Sequence, residues 1–190
     1  MNIFEVKKIS YHPPNKGYCV LLSHIENSRE VPIIIGSNEA QSIALAVESV
    51  SMPRPMTHDI IIDIVDSMDI SINRVEICDF KKGTFYSKIY LRGTYSDEKY
   101  IDCRPSDAIA IALRCSCPIS ISDKVLDMPN LDTIQNVIIE KIEKSSPQNN
   151  EIISENVYSR LNKALKSAVK NENYELAARI RDKIISIEQK

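Results

Sequence analysis

Alternation of apolar and polar positions predicts strands in the first third of the chain. Residues 2–10 make a first strand with Ile3, Val6 and Ile9 inward, Tyr18–Ile25 a second beyond the turn Pro13-Pro14-Asn15-Lys16-Gly17, and Val31–Ile35 a third. The period then changes. Asn38–Ser49 carries Ala40, Ile43, Ala44 and Val47 at helical spacing, and its small side chains permit close packing. Two prolines stiffen the link Met52-Pro53-Arg54-Pro55-Met56. After it Thr57 caps a second helix, on which Ile60, Ile61, Ile64, Val65 and Met68 form one apolar stripe expected to be buried.

The second half replays this order. Strands are expected at Arg74–Phe80 and Thr84–Arg92 around the turn Lys81-Lys82-Gly83, then a strand at Tyr100–Arg104 and a helix at Ser106–Cys115. Pro118–Ser122 adds a short strand. Leu131–Ile142 is a last helix with Ile134, Val137, Ile138 and Ile142 inward. From Lys144 to Asn150 nothing is available to bury, which reads as a linker. Beyond it Val157, Leu161, Ala164, Leu165 and Ala168 mark one amphipathic helix, Asn171-Glu172-Asn173 a turn, and Ala177, Ile180, Ile184 and Ile187 another. Two helices of about 15 residues each cannot bury their apolar faces alone, so this hairpin needs a partner, either another copy or another protein.

The replay is a repeat. Pro32–Leu45 laid without a gap beneath Tyr100–Leu113 puts Glu39 under Asp107, Ala40 under Ala108 and Leu45 under Leu113. Asn38 and Ser106 are then the expected helix caps, each followed by an acid that suits the positive helix end. The copies differ at Asp102 and Arg104, which fall on one strand face where the first copy has Ile34 and Gly36. A carboxylate and a guanidinium where the fold accepts an aliphatic residue and a glycine point to a site.

The expected fold is therefore α+β: internally duplicated units of three strands and two helices sharing one curved, barrel-like sheet covered by helices, with a C-terminal helical hairpin. The expected division is 1–143, a linker at 144–154, and the hairpin at 155–190. A hydrophobic content of 43% can supply the core of a 190-residue chain. Its net charge of −2 carries no global basic field, so any nucleic-acid binding must be local and weak. Five cysteines without a paired spacing beyond Cys115-Ser116-Cys117 fit neither a disulfide framework nor a zinc pattern, and read as reduced thiols of a cytoplasmic protein. No signal segment or membrane span is expected.

Two stretches resemble known families. Pro32-Ile33-Ile34-Ile35-Gly36 with Glu39-Ala40, Arg54-Pro55-Met56-Thr57-His58-Asp59, Gly83-Thr84-Phe85-Tyr86 and Asp102-Cys103-Arg104-Pro105-Ser106-Asp107-Ala108 together resemble the bifunctional nuclease domain family. Residues 155–190, especially Tyr174–Asp182, look like the UVR motif of nucleotide-excision-repair subunits and some stress-response adaptors. The first resemblance implies a duplicated barrel-like sheet and low-specificity activity on RNA and DNA. The second implies an antiparallel hairpin that docks on another such hairpin, and a homo-oligomer is expected.

His58 and Asp59 fall in the first turn of a helix, where the dipole keeps an imidazole neutral and fit to act as a base or a substrate contact, and welcomes a carboxylate. The alternative is a histidine and an acid that merely complete a helix start. Asp102, Arg104 and Asp107 would combine carboxylates with a phosphate-binding guanidinium, and Asp59 and Asp107 are the candidate ligands of a divalent metal such as Mg. The alternative is a structural ion pair closing the turn. Glu39 belongs to the site only if both helix starts meet in one cleft, where helix N-termini, with Ser106 at one of them, would favour an anion. Arg54 is a candidate substrate clamp or a solvated loop charge, and Tyr86 a base-stacking platform or a core tyrosine. The function these readings imply is low-specificity phosphodiester hydrolysis with a docking hairpin. The competing reading is a non-enzymatic adaptor or ligand-binding module that recruits a repair or stress-response complex.

Overall fold

The structure is a computed structural model, and it describes residues 2–12, 17–93, 97–128, 161–166, 168–170, 177–178, 180–182 and 184–185. Most of the expected turn at 13–17, the helix at 131–142, the linker at 144–154, the turn at 171–173 and position 187 lie outside the described residues.

Seven strands form one sheet. In chain order the elements are β1 (Ile3–His12), β2 (Gly17–His24), β3 (Glu30–Ile35), α1 (Ser37–Val47), α2 (Thr57–Ser67), β4 (Ile70–Lys81), β5 (Thr84–Gly93), β6 (Lys99–Cys103), α3 (Pro105–Cys115), β7 (Ile119–Ile121) and α4 (Asp123–Leu126). The sheet order is β3-β2-β1-β7-β4-β5-β6. Each half is an antiparallel three-strand meander followed by a helix, and the short β7 joins the halves, antiparallel to β1 and parallel to β4. The turn between β4 and β5 is two residues, Lys82 and Gly83, with φ of 51° and 79°, the left-handed pair that matches the twist of a tight hairpin.

The sheet does not close into a barrel, because β3 and β6 are unpaired edges. Pro32 in β3 has no N–H to offer a further strand. Both edge strands run directly into helices, so the gap is occupied by the starts of α1 and α3. These helices pack against each other, α1 on β1 and β2, α3 on β4 and β5. Ala40 on α1 and Ala108, Ala110 and Ala112 on α3 are buried in the main core with Ile43, Ile109 and Ile111. Small side chains let the two helices approach closely while the isoleucines fill the space above the sheet.

Several local expectations shift. The helices begin earlier than expected: the N-caps are Gly36, Met56 and Arg104, in place of Asn38, Thr57 and Ser106. Pro105 explains the last case, since a proline holds the residue before it extended and suits the first helical position, where no N–H is needed. In β1 the buried apolar residue is Phe4, and Ile3, Val6 and Ile9 are only half-buried. A register shift between Val6 and Lys8 breaks the simple alternation.

The larger correction concerns α2. None of its residues is buried, and Ile60, Ile61, Ile64 and Met68 are between 38% and 63% exposed. The helix instead turns His58, Asp59, Ile62 and Val65 toward the body, and Ile62 meets the main core. Polar bonds in its first turn fix that orientation, as the site geometry shows.

A second buried cluster joins the C-terminal segment to the domain. Leu161, Ala164, Ala168, Ala177, Ile180 and Ile184 pack with Ala44 and Leu45 of α1, bordered by Val50, Met52 and Met56 of the link. The described residues of this segment are helical. Among the described residues, the apolar positions expected to need an external partner are thus covered within the same chain.

Asp79 at the end of β4 accepts Lys124 of α4 at 2.8 Å and also pairs with Lys81. The two ammonium groups hold its carboxyl down from 3.8 to about 2. A depressed folded-state value means this contribution to stability is complete above the unfolded value and is lost as acid protonates the carboxylate. Asp79→Asn is therefore expected to unfold at lower urea concentration than wild type at neutral pH, with the gap closing between pH 3.8 and about 2. A gap that stays constant across that window would remove this assignment.

Candidate functional site

Three helices begin near one another, and each has an acid at its third position: Glu39 in α1, Asp59 in α2 and Asp107 in α3. An acid there complements the helix dipole. Two arginines collect all three. Arg104, the N-cap of α3, donates from Nε to Asp107 Oδ2 at 2.9 Å, from Nη2 to Asp107 Oδ1 at 3.1 Å, and from Nη1 to Glu39 Oε1 at 3.0 Å. The counterparts in the two halves, Glu39 and Asp107, thus converge on one guanidinium. Their hydrogen bonds keep Arg104 more firmly protonated than an ordinary arginine, with Asp107 the larger influence.

Gly36 serves this convergence by its size. A Cβ there would stand 2.5 Å from Glu39 Oε2, so the glycine leaves room for the carboxylate to fold back toward Arg104. In the alignment of Pro32–Leu45 with Tyr100–Leu113 it stands opposite Arg104.

Arg114, near the end of α3, is the second collector. Its side chain is 12% exposed and donates to Asp59 Oδ1 at 2.8 Å, to the Ala110 carbonyl at 2.9 Å, and to the Ser42 carbonyl and Ser42 Oγ at 3.2 Å each. Asp59 Oδ2 also accepts the Met56 N–H at 2.7 Å, which closes the start of α2. His58 bridges the two collections. Its Nδ1 lies 3.0 Å from Ser42 Oγ and its Nε2 lies 3.5 Å from Asp107 Oδ1. With His58 and Asp59 both drawn inward, α2 must turn Ile60, Ile61 and Ile64 outward.

The structure therefore brings Glu39, His58, Asp59, Arg104 and Asp107 into one continuous polar network. Ser106 is buried at the same helix start without capping it. The other candidates stand apart. Asp102 is exposed in β6 opposite Lys88, and Arg54 is exposed on the link; neither side chain makes a hydrogen bond or ion pair among the described residues. Tyr86 is 41% exposed on β5, with Lys81 Nζ 5.8 Å from its ring centre. Sequence reasoning missed Ser42 and Arg114. Ser42 looks like an ordinary helix residue and Arg114 like a favourable cation at a helix C-terminus, and only the packing of three helices shows what they join.

A cleft of about 500 Å³ opens where the sheet fails to close, between β3 (Pro32–Ile35) and the tip of the β4–β5 hairpin. Phe80, Thr84 and Phe85 form one wall and Arg104, Glu39 and Ser106 its end. Arg104 is the accessible member, 67% exposed at its side chain, against 25% for Glu39, 28% for Asp107 and 15% for His58. Ser42, His58 and Asp107 follow one another as in a hydrolytic serine triad, but Ser42 is 4% exposed and cannot reach a substrate. A cysteine nucleophile is equally disfavoured. Burial pushes the Cys19 thiol up to about 12 and that of Cys117 to about 11, and raises Cys78, Cys103 and Cys115 as well.

The residues do not fit a divalent-metal cage. Glu39 and Asp107 face a guanidinium, Asp59 is occupied by Arg114 and a backbone N–H, and among the described residues no group of three or more His, Cys, Asp or Glu side chains is placed to hold a metal ion.

The profile of the bifunctional nuclease domain matches residues 20–134. The chain belongs to the bifunctional nuclease domain family. Residues 155–190 match the UvrB/uvrC motif. An uncharacterized protein of Mycobacterium tuberculosis is 36% identical over 131 residues, which is 69% of this chain and 77% of that protein. Bifunctional nuclease 1 of Oryza sativa subsp. indica is 28% identical over 107 residues, 55% of this chain and 32% of the plant protein. Bifunctional nuclease 2 of Arabidopsis thaliana is 32% identical over 94 residues, 48% of this chain and 29% of its own length. The match thus spans about a third of each plant nuclease. The family profile covers the whole network, Glu39 through Arg114. No helix among the described residues is long and apolar enough to cross a membrane.

Proposed function

We propose that this chain is a cytoplasmic, low-specificity nuclease acting on RNA or DNA, with a protein-docking UVR segment. The observation that carries the reading is the convergence of Glu39 and Asp107 on an exposed Arg104 at the mouth of a cleft. A phosphodiester entering the cleft exchanges with Glu39 for Arg104 Nη1, so the guanidinium holds a phosphate oxygen; the freed Glu39 carboxylate takes a proton from the attacking water as the new P–O bond forms, and the P–O bond to the leaving oxygen breaks as that oxygen is protonated by Glu39 or solvent water. The N-termini of α1 and α3 add positive potential at the same place. Phe85 offers a base a stacking surface, with Tyr86 and Arg54 as outer contacts.

The charge balance predicts weak binding. Arg104 carries one positive charge between two carboxylates, so the local set is net negative until a substrate displaces one of them. This is also the observation that favours the second reading, a non-enzymatic adaptor in which the same ion pairs only fasten two helix starts. Nuclease activity of a contaminant-free preparation, wild type beside Arg104→Ala, Asp107→Ala and His58→Ala, separates the readings. The enzyme reading expects Arg104→Ala to lose activity by about 100-fold. Equal activity in all four proteins would leave the adaptor.

We also propose that the division at 1–143, 144–154 and 155–190 and the duplication of the first part are real features of this chain. The paired meanders, each ending in an edge strand and a helix with an acid at its third position, support the duplication. Docking of a partner on the tail has to compete with the buried cluster or use Val169 and Ile185, which remain about half exposed. Leu161→Asp puts a charge into that cluster and is expected to speed amide exchange at 43–56 while leaving β4 and β5 unchanged. Unchanged exchange at 43–56 would show that the tail does not rest there. Self-association is assigned to the exposed face of α2. Sedimentation velocity should give a smaller species for Ile64→Lys than for wild type, and an identical monomer for both removes that assignment.

A further inference from the structure

The two halves treat the same face of the sheet differently. Laying Pro32–Leu45 beneath Tyr100–Leu113 puts Pro32 under Tyr100 and Ile34 under Asp102. Strand pairing carries the likeness one strand further, since Pro32 faces Leu21 and Ile34 faces Cys19, while Tyr100 faces Tyr90 and Asp102 faces Lys88. In the first half Pro32 and Cys19 are buried and Leu21 and Ile34 half-buried. In the second half Asp102 is exposed, Tyr100 is 57% exposed, and Lys88 and Tyr90 are half-buried. Ser87 and Ile89, the alternate residues of β5, are buried, so Tyr86, Lys88, Tyr90 and Arg92 share the outward face.

Aromatic rings and cations alternate there. Tyr90 is held in place: Arg74 Cζ stands 3.5 Å from its ring centre, its hydroxyl donates to Glu76, and its ring meets that of Tyr100 at 6.0 Å between centres. Tyr100 thus has a fixed backing, and Lys88 Nζ lies 3.9 Å from its ring centre. Tyr86, 41% exposed, is four residues from Tyr90 on β5, about 13 Å along the strand, with Lys88 midway. Two accessible rings with a lysine between them suit a nucleotide chain, because every base offers a flat face to stack and every linkage a negative charge. Glu98 is already engaged by Arg74 and Asn73, and Glu76 by Tyr90, whereas Lys88 and Arg92 form no ion pair among the described residues. Asp102 opposes them from beside Lys88.

We propose that the outward face of β5 and β6 binds single-stranded nucleic acid, with bases stacked on Tyr100 and Tyr86, phosphates on Lys88 and Arg92, and Asp102 weakening the grip. A duplex keeps its bases stacked on one another and offers these rings no free base. Ser87 pairs with Cys103, and the next position along the two strands is Tyr86 and Arg104, so a chain leaving Tyr86 around the β6 edge reaches the end of the cleft where Arg104 stands. The inference deepens the nuclease reading by naming the substrate as single-stranded. It rests on that reading for the delivery to Arg104 alone, since binding needs no hydrolysis.

Fluorescence anisotropy of the full chain with a labelled oligothymidylate about 12 nucleotides long, its linkages phosphorothioate to slow cleavage, reads binding by itself. Wild type is expected to hold the single strand more tightly than a duplex of the same length. Equal or tighter duplex binding, or no binding of either, overturns the proposal. Tyr100→Ala should weaken single-strand binding at least about fivefold while Tyr100→Phe matches wild type, and equal affinity for wild type and Tyr100→Ala overturns the stacking platform. Lys88→Gln should flatten the slope of log affinity against log salt by about 0.7, and an unchanged slope removes its phosphate contact. Asp102→Asn should bind at least about twofold tighter at low salt, a gain that damaged folding does not mimic; equal or weaker binding overturns the placement of a phosphate beside Lys88. Binding of this kind in a protein without hydrolytic activity sinks the nuclease reading and leaves the platform standing. Hydrolysis that depends on Arg104, with binding untouched by Tyr100→Ala, does the reverse.

Discussion

One guanidinium held between two helix starts is the constraint on which this structure turns. Arg104 joins the first turn of α1 to the first turn of α3, and so joins the end of one meander to the end of the other. The sheet could have closed there. Instead each edge strand gives way to a helix, and the polar residues at the two starts occupy the space that a β3–β6 ladder would need. The open edge and the candidate site have the same cause.

The second arginine does for orientation what the first does for closure. Arg114 reaches α1 through Ser42 and α2 through Asp59 while staying bonded to its own helix. Such a buried guanidinium is costly to desolvate and is tolerated because every direction it points in carries an acceptor. The first turn of α2 is thereby fixed before its apolar residues are consulted. Four isoleucines in eleven residues would ordinarily direct a helix toward a core, yet only Ile62 reaches it. The remaining apolar surface is the natural place to look for another molecule.

The bifunctional nuclease domain and the C-terminal segment that matches the UvrB/uvrC motif meet in the structure. The tail cluster rests on Ala44 and Leu45, one turn beyond Ser42, and on Met56, whose N–H is held by Asp59. A partner that draws the tail away therefore acts on residues next to the polar network. Contact between the two ends follows from burial: short amphipathic helices without another apolar surface use the nearest one available.

The sequence by itself determined the order of strands and helices, the hairpin at Lys82-Gly83 and the apolar positions of the tail, because those depend on local periodicity and on which residues tolerate a turn. It also singled out Arg104 as the break in the likeness between two halves, and Glu39 and Asp107 as counterparts. Tertiary structure alone decided that the sheet stays open, that α2 faces outward, and that Ser42 and Arg114 tie three helices together. Hydrogen bonds between residues such as Ser42, His58 and Arg114 have no period along the chain. They depend on how far apart three helix axes settle, and that distance is set by alanine packing across the whole core.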